Sequence, residues 1–163
     1  MLRRNANARQ RWGGHHQAVD KWLEERQEML IRYCQMAGLP PYETGQKGLP
    51  SSDDIKTFCQ VLVDYVSTGH FEIYEQLVQS ADVQDEEVRK ITLQVYPLIS
   101  VTTERVLNFN DQYAEVTDTD PLREFDLHLS ALGEALEVRM ELEDQLLISL
   151  EERAAFSETQ AAE

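Results

Sequence analysis

Apolar residues recur along most of the chain at steps of three and four, the spacing that puts side chains on one face of a helix. The first run is Val19, Trp22, Leu23, Leu30, Tyr33, Cys34 and Ala37. It predicts a helix from before Val19 to Ala37. Gly38-Leu39-Pro40-Pro41 ends it, because glycine takes the left-handed cap and proline cannot continue the ladder. The Gly13-Gly14 pair leaves its start open. Residues 40–50 hold three prolines and two glycines and read as a loop. A second run, Ile55, Phe58, Cys59, Leu62, Val66, Gly69, Ile73 and Leu77, follows Ser51-Ser52-Asp53-Asp54. A serine cap and acids in the first turn both favour a helix start there. Gly69 interrupts this run and predicts a break or kink, or else the close approach of another backbone. The third run spans about Asp85 to Tyr113 through Val88, Ile91, Val95, Leu98, Val106 and Phe109, with a bend expected at Pro97. Thr117-Asp118-Thr119-Asp120-Pro121 is a boundary, with Asp120 as N-cap and Pro121 as first helical residue. The fourth run carries Leu122, Phe125, Leu129, Leu132, Leu136, Met140, Leu146, Leu147 and Leu150, and is expected to fray from Ala154.

No stretch alternates with the period of a strand. Four long amphipathic helices, each with one broad apolar face, predict an all-α fold: an antiparallel four-helix bundle with kinked second and third helices. A length of 163 residues suits a single domain over 1–163, with loose ends at about 1–14 and 154–163.

Charge narrows the function classes. Fifteen basic against 30 acidic residues give a net charge of −15. That balance opposes nonspecific binding to nucleic acid, whose phosphates need a basic surface. The charge is also uneven. Residues 1–40 carry seven basic and four acidic side chains, a net of +3, which leaves −18 for the remainder. No window of 18 apolar residues spans a membrane, the N-terminus lacks a signal-peptide core, and two cysteines make no disulfide framework. The expected location is cytoplasmic.

Signals for catalysis and metal binding are weak. No helix pair carries Glu-x-x-His, and adjacent His15 and His16 would point about 100° apart on a helix. Glu124 and His128 stand at i, i+4, a spacing more often met in a surface pair than in a metal site. Cys34 and Cys59 fall on apolar faces and read as core. Neither a phosphate-binding glycine loop nor a Gly-x-Ser-x-Gly elbow occurs. No enzyme, no cofactor and no metal are expected. Arg139 and Glu143, at i, i+4 in the fourth run, are spaced for an ion pair.

The densest constellation is residues 64–75, Asp-Tyr-Val-Ser-Thr-Gly-His-Phe-Glu-Ile-Tyr-Glu. Polar Asp64, Ser67 and His70 alternate there with aromatic Tyr65, Phe71 and Tyr74. Aromatic anchors ringed by polar groups are characteristic of protein interfaces. The same pattern would arise if the aromatics filled the core, and periodicity alone does not choose.

This block resembles the regulator of sigma D family, Rsd/AlgQ. The resemblance rests on Val19-Asp20-Lys21-Trp22-Leu23, on residues 58–65 (Phe-Cys-Gln-Val-Leu-Val-Asp-Tyr) and on Gly69 to Glu75. Residues 133–139 (Gly-Glu-Ala-Leu-Glu-Val-Arg) and Leu142-Glu143-Asp144 complete it, and Arg11-Trp12-Gly13-Gly14 resembles the AlgQ branch. The resemblance implies an anti-sigma factor that binds region 4 of the primary sigma factor, and so blocks its contacts with the RNA polymerase core and the −35 promoter element. It implies Asp64 as the first contact residue, with His70, Ser67, Asp20 and Trp22 next, and Phe71 and Tyr74 in the same block. Trp22 also lies on the apolar face of its helix, where a core role is expected first. The alternative within the family is an adaptor for a phosphocarrier or a stringent-response protein. The acidic helices, rather than the first, are expected to face the basic surface of region 4.

Overall fold

The computed structural model describes the backbone of residues 1–14, 17–42, 48–74 and 86–161, and the side chains of these except 87, 88 and 150–161. Among them every regular element is helical. The elements are α1 (Leu2–Trp12), α2 (Gln17–Ala37), α3 (Ser52–Thr68), a π-helical turn (Gly69–Tyr74), α4 (Glu86–Tyr113) and α5 (Phe125–Ala161).

Local signals set most of the boundaries. Gly38, at φ +63°, closes α2; its N–H reaches the Gln35 carbonyl and the Leu39 N–H reaches that of Cys34 at 2.9 Å. This is the paired C-terminal bonding that a left-handed glycine permits. Ser51 caps α3, its hydroxyl accepting the Asp54 N–H at 3.2 Å. Pro97 stands inside α4, as the sequence predicts.

Three expectations need correction. First, residues 2–12 are not a loose end but a helix, in which Asn5 and Ala8 are buried. It docks through polar groups: the Asn5 amide accepts Arg26 Nε at 2.7 Å, and Arg4 pairs with Asp144 at 3.5 Å. Second, Asp120 does not cap α5, which starts at Phe125; its carboxylate folds back to accept the backbone N–H and hydroxyl of Thr117 at 2.7 and 2.9 Å. Third, the chain does not break at Gly69. That residue is helical (φ −56°, ψ −49°) and the helix widens into a π-turn. α5 also runs past Ala154 to Ala161.

The helices pack as a bundle. Tyr113 at the end of α4 meets Phe125 and His128 at the start of α5, while Thr102, further back in α4, meets Arg139, further along α5. The two helices therefore run in opposed directions. α2 pairs likewise with α5, with Tyr33 against Leu129 and Arg26 against Glu143. One end of the core is aromatic: Phe58, Phe109, Tyr113 and Phe125 stack in sequence with ring centres 4.7–6.2 Å apart, as tilted and edge-on pairs. At the other end Trp22 lies edge-on to Tyr74 at 6.0 Å. Among the described residues no helix is long and apolar enough to cross a membrane.

Candidate functional site

The region centred on residues 64–74 has two layers. The outer layer is a surface on α3 and the π-turn. Asp64, Ser67 and Phe71 are all exposed, and Phe71 is 62% accessible although it is a large apolar side chain. Spacings of three and four keep Asp64, Ser67 and Phe71 close together on the outer side. Asp64 accepts a hydrogen bond from Gln60 at 3.1 Å, one turn earlier. Lys21 of α2 crosses to Glu72 at 3.0 Å, and its ammonium is shifted up by that hydrogen bond and by the carboxylates of Glu72, Glu25 and Asp64. The surface therefore presents an aromatic ring among carboxylates, with one lysine already engaged by its own chain. His70 is half-buried at its edge, stacked edge-on to Phe71 at 4.8 Å and within 3.3 Å of the Tyr96 hydroxyl through Nδ1.

The inner layer is an ionic cluster whose Arg26, Arg139 and Glu143 are fully buried. Glu143 of α5 accepts from Tyr65 of α3 at 2.5 Å, from Tyr74 of the π-turn at 2.7 Å, from Arg26 of α2 at 3.2 Å and from Arg139 of α5 at 2.8 Å. Arg139 also donates to Thr102 and Thr103 of α4 at 3.1 and 2.7 Å, and to the Tyr74 hydroxyl at 3.2 Å. Arg26 donates both Nη atoms to Asp144 at 3.1 Å. α2, α3, α4, α5 and the π-turn thus all contribute to one network, the arrangement that makes a buried charge tolerable. Burial pushes the phenols of Tyr65 and Tyr74 well above their usual value, and the Glu143 carboxylate adds to it. Burial alone would lower the Arg26 and Arg139 guanidiniums. Glu143, with Asp144 at Arg26 and the two tyrosines at Arg139, more than offsets it and raises both.

The two layers join at Tyr65 and Tyr74, which flank Ser67 and Phe71 in sequence and point inward. Gly69 explains how. A Cβ there would lie 3.1 Å from Trp22 Nε1 and 3.1 Å from the Tyr74 hydroxyl. The close approach expected at Gly69 is therefore made by side chains, and the π-turn carries Tyr74 to Glu143 while leaving Phe71 outside. Single π-turns inside α-helices are frequent at functional sites.

The structure sorts the expected contact residues. Asp64, Ser67 and Phe71 come together on the outer surface, with His70 at the rim. Trp22 and Tyr74 are both buried and lie beneath this surface, which they support. Asp20 is half-buried and accepts the Gly14 N–H at 2.7 Å, which ties down the turn between α1 and α2. Glu75 and the His15–His16 pair lie outside the described residues. Glu124 and His128 approach to 3.8 Å, with the His128 Nδ1 at 2.6 Å from the Tyr113 hydroxyl. Cys59 is buried, and burial pushes its thiol up to about 11, which keeps it protonated and unreactive at neutral pH.

Arg26 is a residue that sequence reasoning missed. A signal for Arg26 existed: in α2 the apolar steps run Trp22, Leu23, Met29, Leu30, and Arg26 occupies the inward position between them. A charge at a core position of a helical stripe needs a buried counter-charge.

Comparison with known proteins matches residues 1–151 to the family described as Regulator of RNA polymerase sigma(70) subunit, Rsd/AlgQ. A protein named Regulator of sigma D from Yersinia enterocolitica is 36% identical over 148 residues, 90% of this chain and 88% of its own length. Its namesake from Yersinia pseudotuberculosis is 34% identical over 148 residues, 90% of this chain and 87% of its own length. The one from Pectobacterium atrosepticum is 35% identical over 136 residues, 83% of this chain and 88% of its own length.

Proposed function

Because the chain belongs to the Rsd/AlgQ family of regulators of the RNA polymerase sigma(70) subunit, we propose that it is a cytoplasmic anti-sigma factor acting on region 4 of the primary sigma factor. The observation that carries this reading is the exposed Phe71 set beside Asp64 and Ser67 in the acidic part of the chain. Region 4 is a basic helix-turn-helix module. Carboxylates on this surface attract it and orient its approach, while the aromatic ring supplies contact area that slows release. Occupying that module withholds it from both the −35 element and the polymerase core, so the protein regulates by occupancy, without catalysis.

Asp64 faces solvent, so its replacement leaves the core untouched. Asp64→Ala is expected to weaken binding to a region 4 fragment about tenfold or more, as truncation of an interfacial charge does, with unchanged circular dichroism. Wild-type affinity in this variant removes Asp64 from the interface.

A further inference from the structure

We propose that the outer face of α4 is a homodimer seam, a self-complementary stripe that takes the same face of a second copy of this chain. Among the described residues of α4 the buried ones are Thr92, Val95, Ile99, Thr102, Val106, Phe109 and Tyr113, all turned toward the bundle. On the opposite side Glu86, Lys90, Leu93, Pro97, Val101, Glu104 and Asn108 are all exposed. Leu93 is 63% and Val101 51% accessible, so neither is absorbed by the chain's own core. At about 100° per residue these seven positions stay within roughly 40° of Pro97 around the helix, a narrow continuous seam.

The order of residues in the seam identifies the occupant. Their spacings read 4, 3, 4, 4, 3, 4 and are the same in either direction from Pro97. A two-fold axis at Pro97 therefore sets Leu93 against the partner's Val101 and Lys90 against the partner's Glu104. It also sets Glu86 against the partner's Asn108. Each contact is made twice, which is the signature of an isologous interface. The apolar pairs sit next to the axis and the charge pairs flank them, as in an antiparallel helix pair with ionic edges. Overall charge favours the same place. In a chain of net charge −15, residues 86–108, the length of the seam, hold Arg89, Lys90 and Arg105 against Glu86, Glu87 and Glu104, a net of zero. Two copies meeting there bring together stretches that carry no net charge, which avoids the repulsion of the acidic remainder. Leu98, 54% exposed, widens the apolar patch on one side. A seam of one helix per copy is small, toward the lower end of specific interfaces, below about 1,200 Å², so the dimer is a weak one that forms at high micromolar concentration.

The test is sedimentation velocity of the full chain over a concentration series into the high micromolar range. Lys90→Glu sets two carboxylates against each other at each charge pair, and Glu104→Lys sets two ammonium groups together there. Each single variant is expected to weaken self-association about tenfold or more through like-charge juxtaposition. An equimolar mixture of the two variants pairs opposite charges across the axis again, and is expected to form more dimer than either variant alone. Circular dichroism checks that each variant keeps its helices. The proposal is overturned if the wild-type chain remains a monomer throughout, if neither reversal weakens the dimer, or if the mixture associates no better than its components. A monomeric chain whose α4 face becomes protected from hydrogen exchange only on adding sigma region 4 would also overturn it, and would assign the seam to that partner.

Discussion

Replacing Glu143 by glutamine is the sharpest test of the interior. The side chain is fully buried, keeps nearly the same volume as glutamine, and accepts hydrogen bonds from Tyr65, Tyr74, Arg26 and Arg139 at 2.5–3.2 Å. Glutamine retains one carbonyl oxygen and exchanges the other for an amide that donates. At least one of the four donors then faces another donor. Arg26 keeps the half-buried Asp144 as a counter-charge, whereas Arg139 loses the carboxylate it pairs with. Breaking a buried ion pair on one side costs about 3–5 kcal/mol. For a chain of this size that is expected to lower Tm by roughly 6–20 °C, at about 2–4 °C per kcal/mol. Thermal and urea unfolding followed by far-ultraviolet circular dichroism give the figure. A loss under about 1 kcal/mol would contradict this, because a cluster that loses its central carboxylate at so little cost is hydrated, not buried.

Alkaline pH probes the same cluster from the tyrosine side. The phenols of Tyr65 and Tyr74 are raised above their unfolded value near 10, so their contribution is intact below that pH and lost as pH climbs beyond it. Stability is expected to fall by about 1.4 kcal/mol per tyrosine per pH unit above roughly pH 10, and tyrosinate absorbance from these two should rise only together with loss of the helix signal. Independent ionisation with the helices intact would contradict this. At the surface, Phe71→Ser should change stability by no more than about 0.5 kcal/mol, yet weaken binding to sigma region 4 about tenfold, as loss of an aromatic anchor does. Titration calorimetry on the folded variant checks this, and undiminished affinity would remove Phe71 from the interface.

What could be read from the sequence, and what could not, follows from the range of the interactions. α2, α3 and α4 were legible because caps and the three-four rhythm are local: Ser51, Gly38 and the run from Val19 to Ala37 declare themselves within a few residues. The pairing of Arg139 with Glu143 was legible for the same reason, since both lie on one helix. α1 was not, because its residues 2–12 show no apolar stripe and its docking uses an amide and an arginine that meet α2 and α5 only in the fold. The π-turn was half legible. Gly69 marked an irregularity, but the reason for it, Trp22 and Tyr74 converging on one point, joins residues far apart in sequence. The same distance hid the burial of Tyr74, which reads from pattern alone as an anchor beside Phe71. The block that holds Asp64, Ser67 and Phe71 was legible, but the division between these exposed residues and the inward Tyr65 and Tyr74 came only with the fold.

Recognition of sigma region 4 is decided by calorimetric titration of the full chain into the intact primary sigma factor and into the same factor lacking region 4. Saturable binding to the intact factor and none to the shortened one is the expected result. Equal binding to both, or binding to neither, would contradict it.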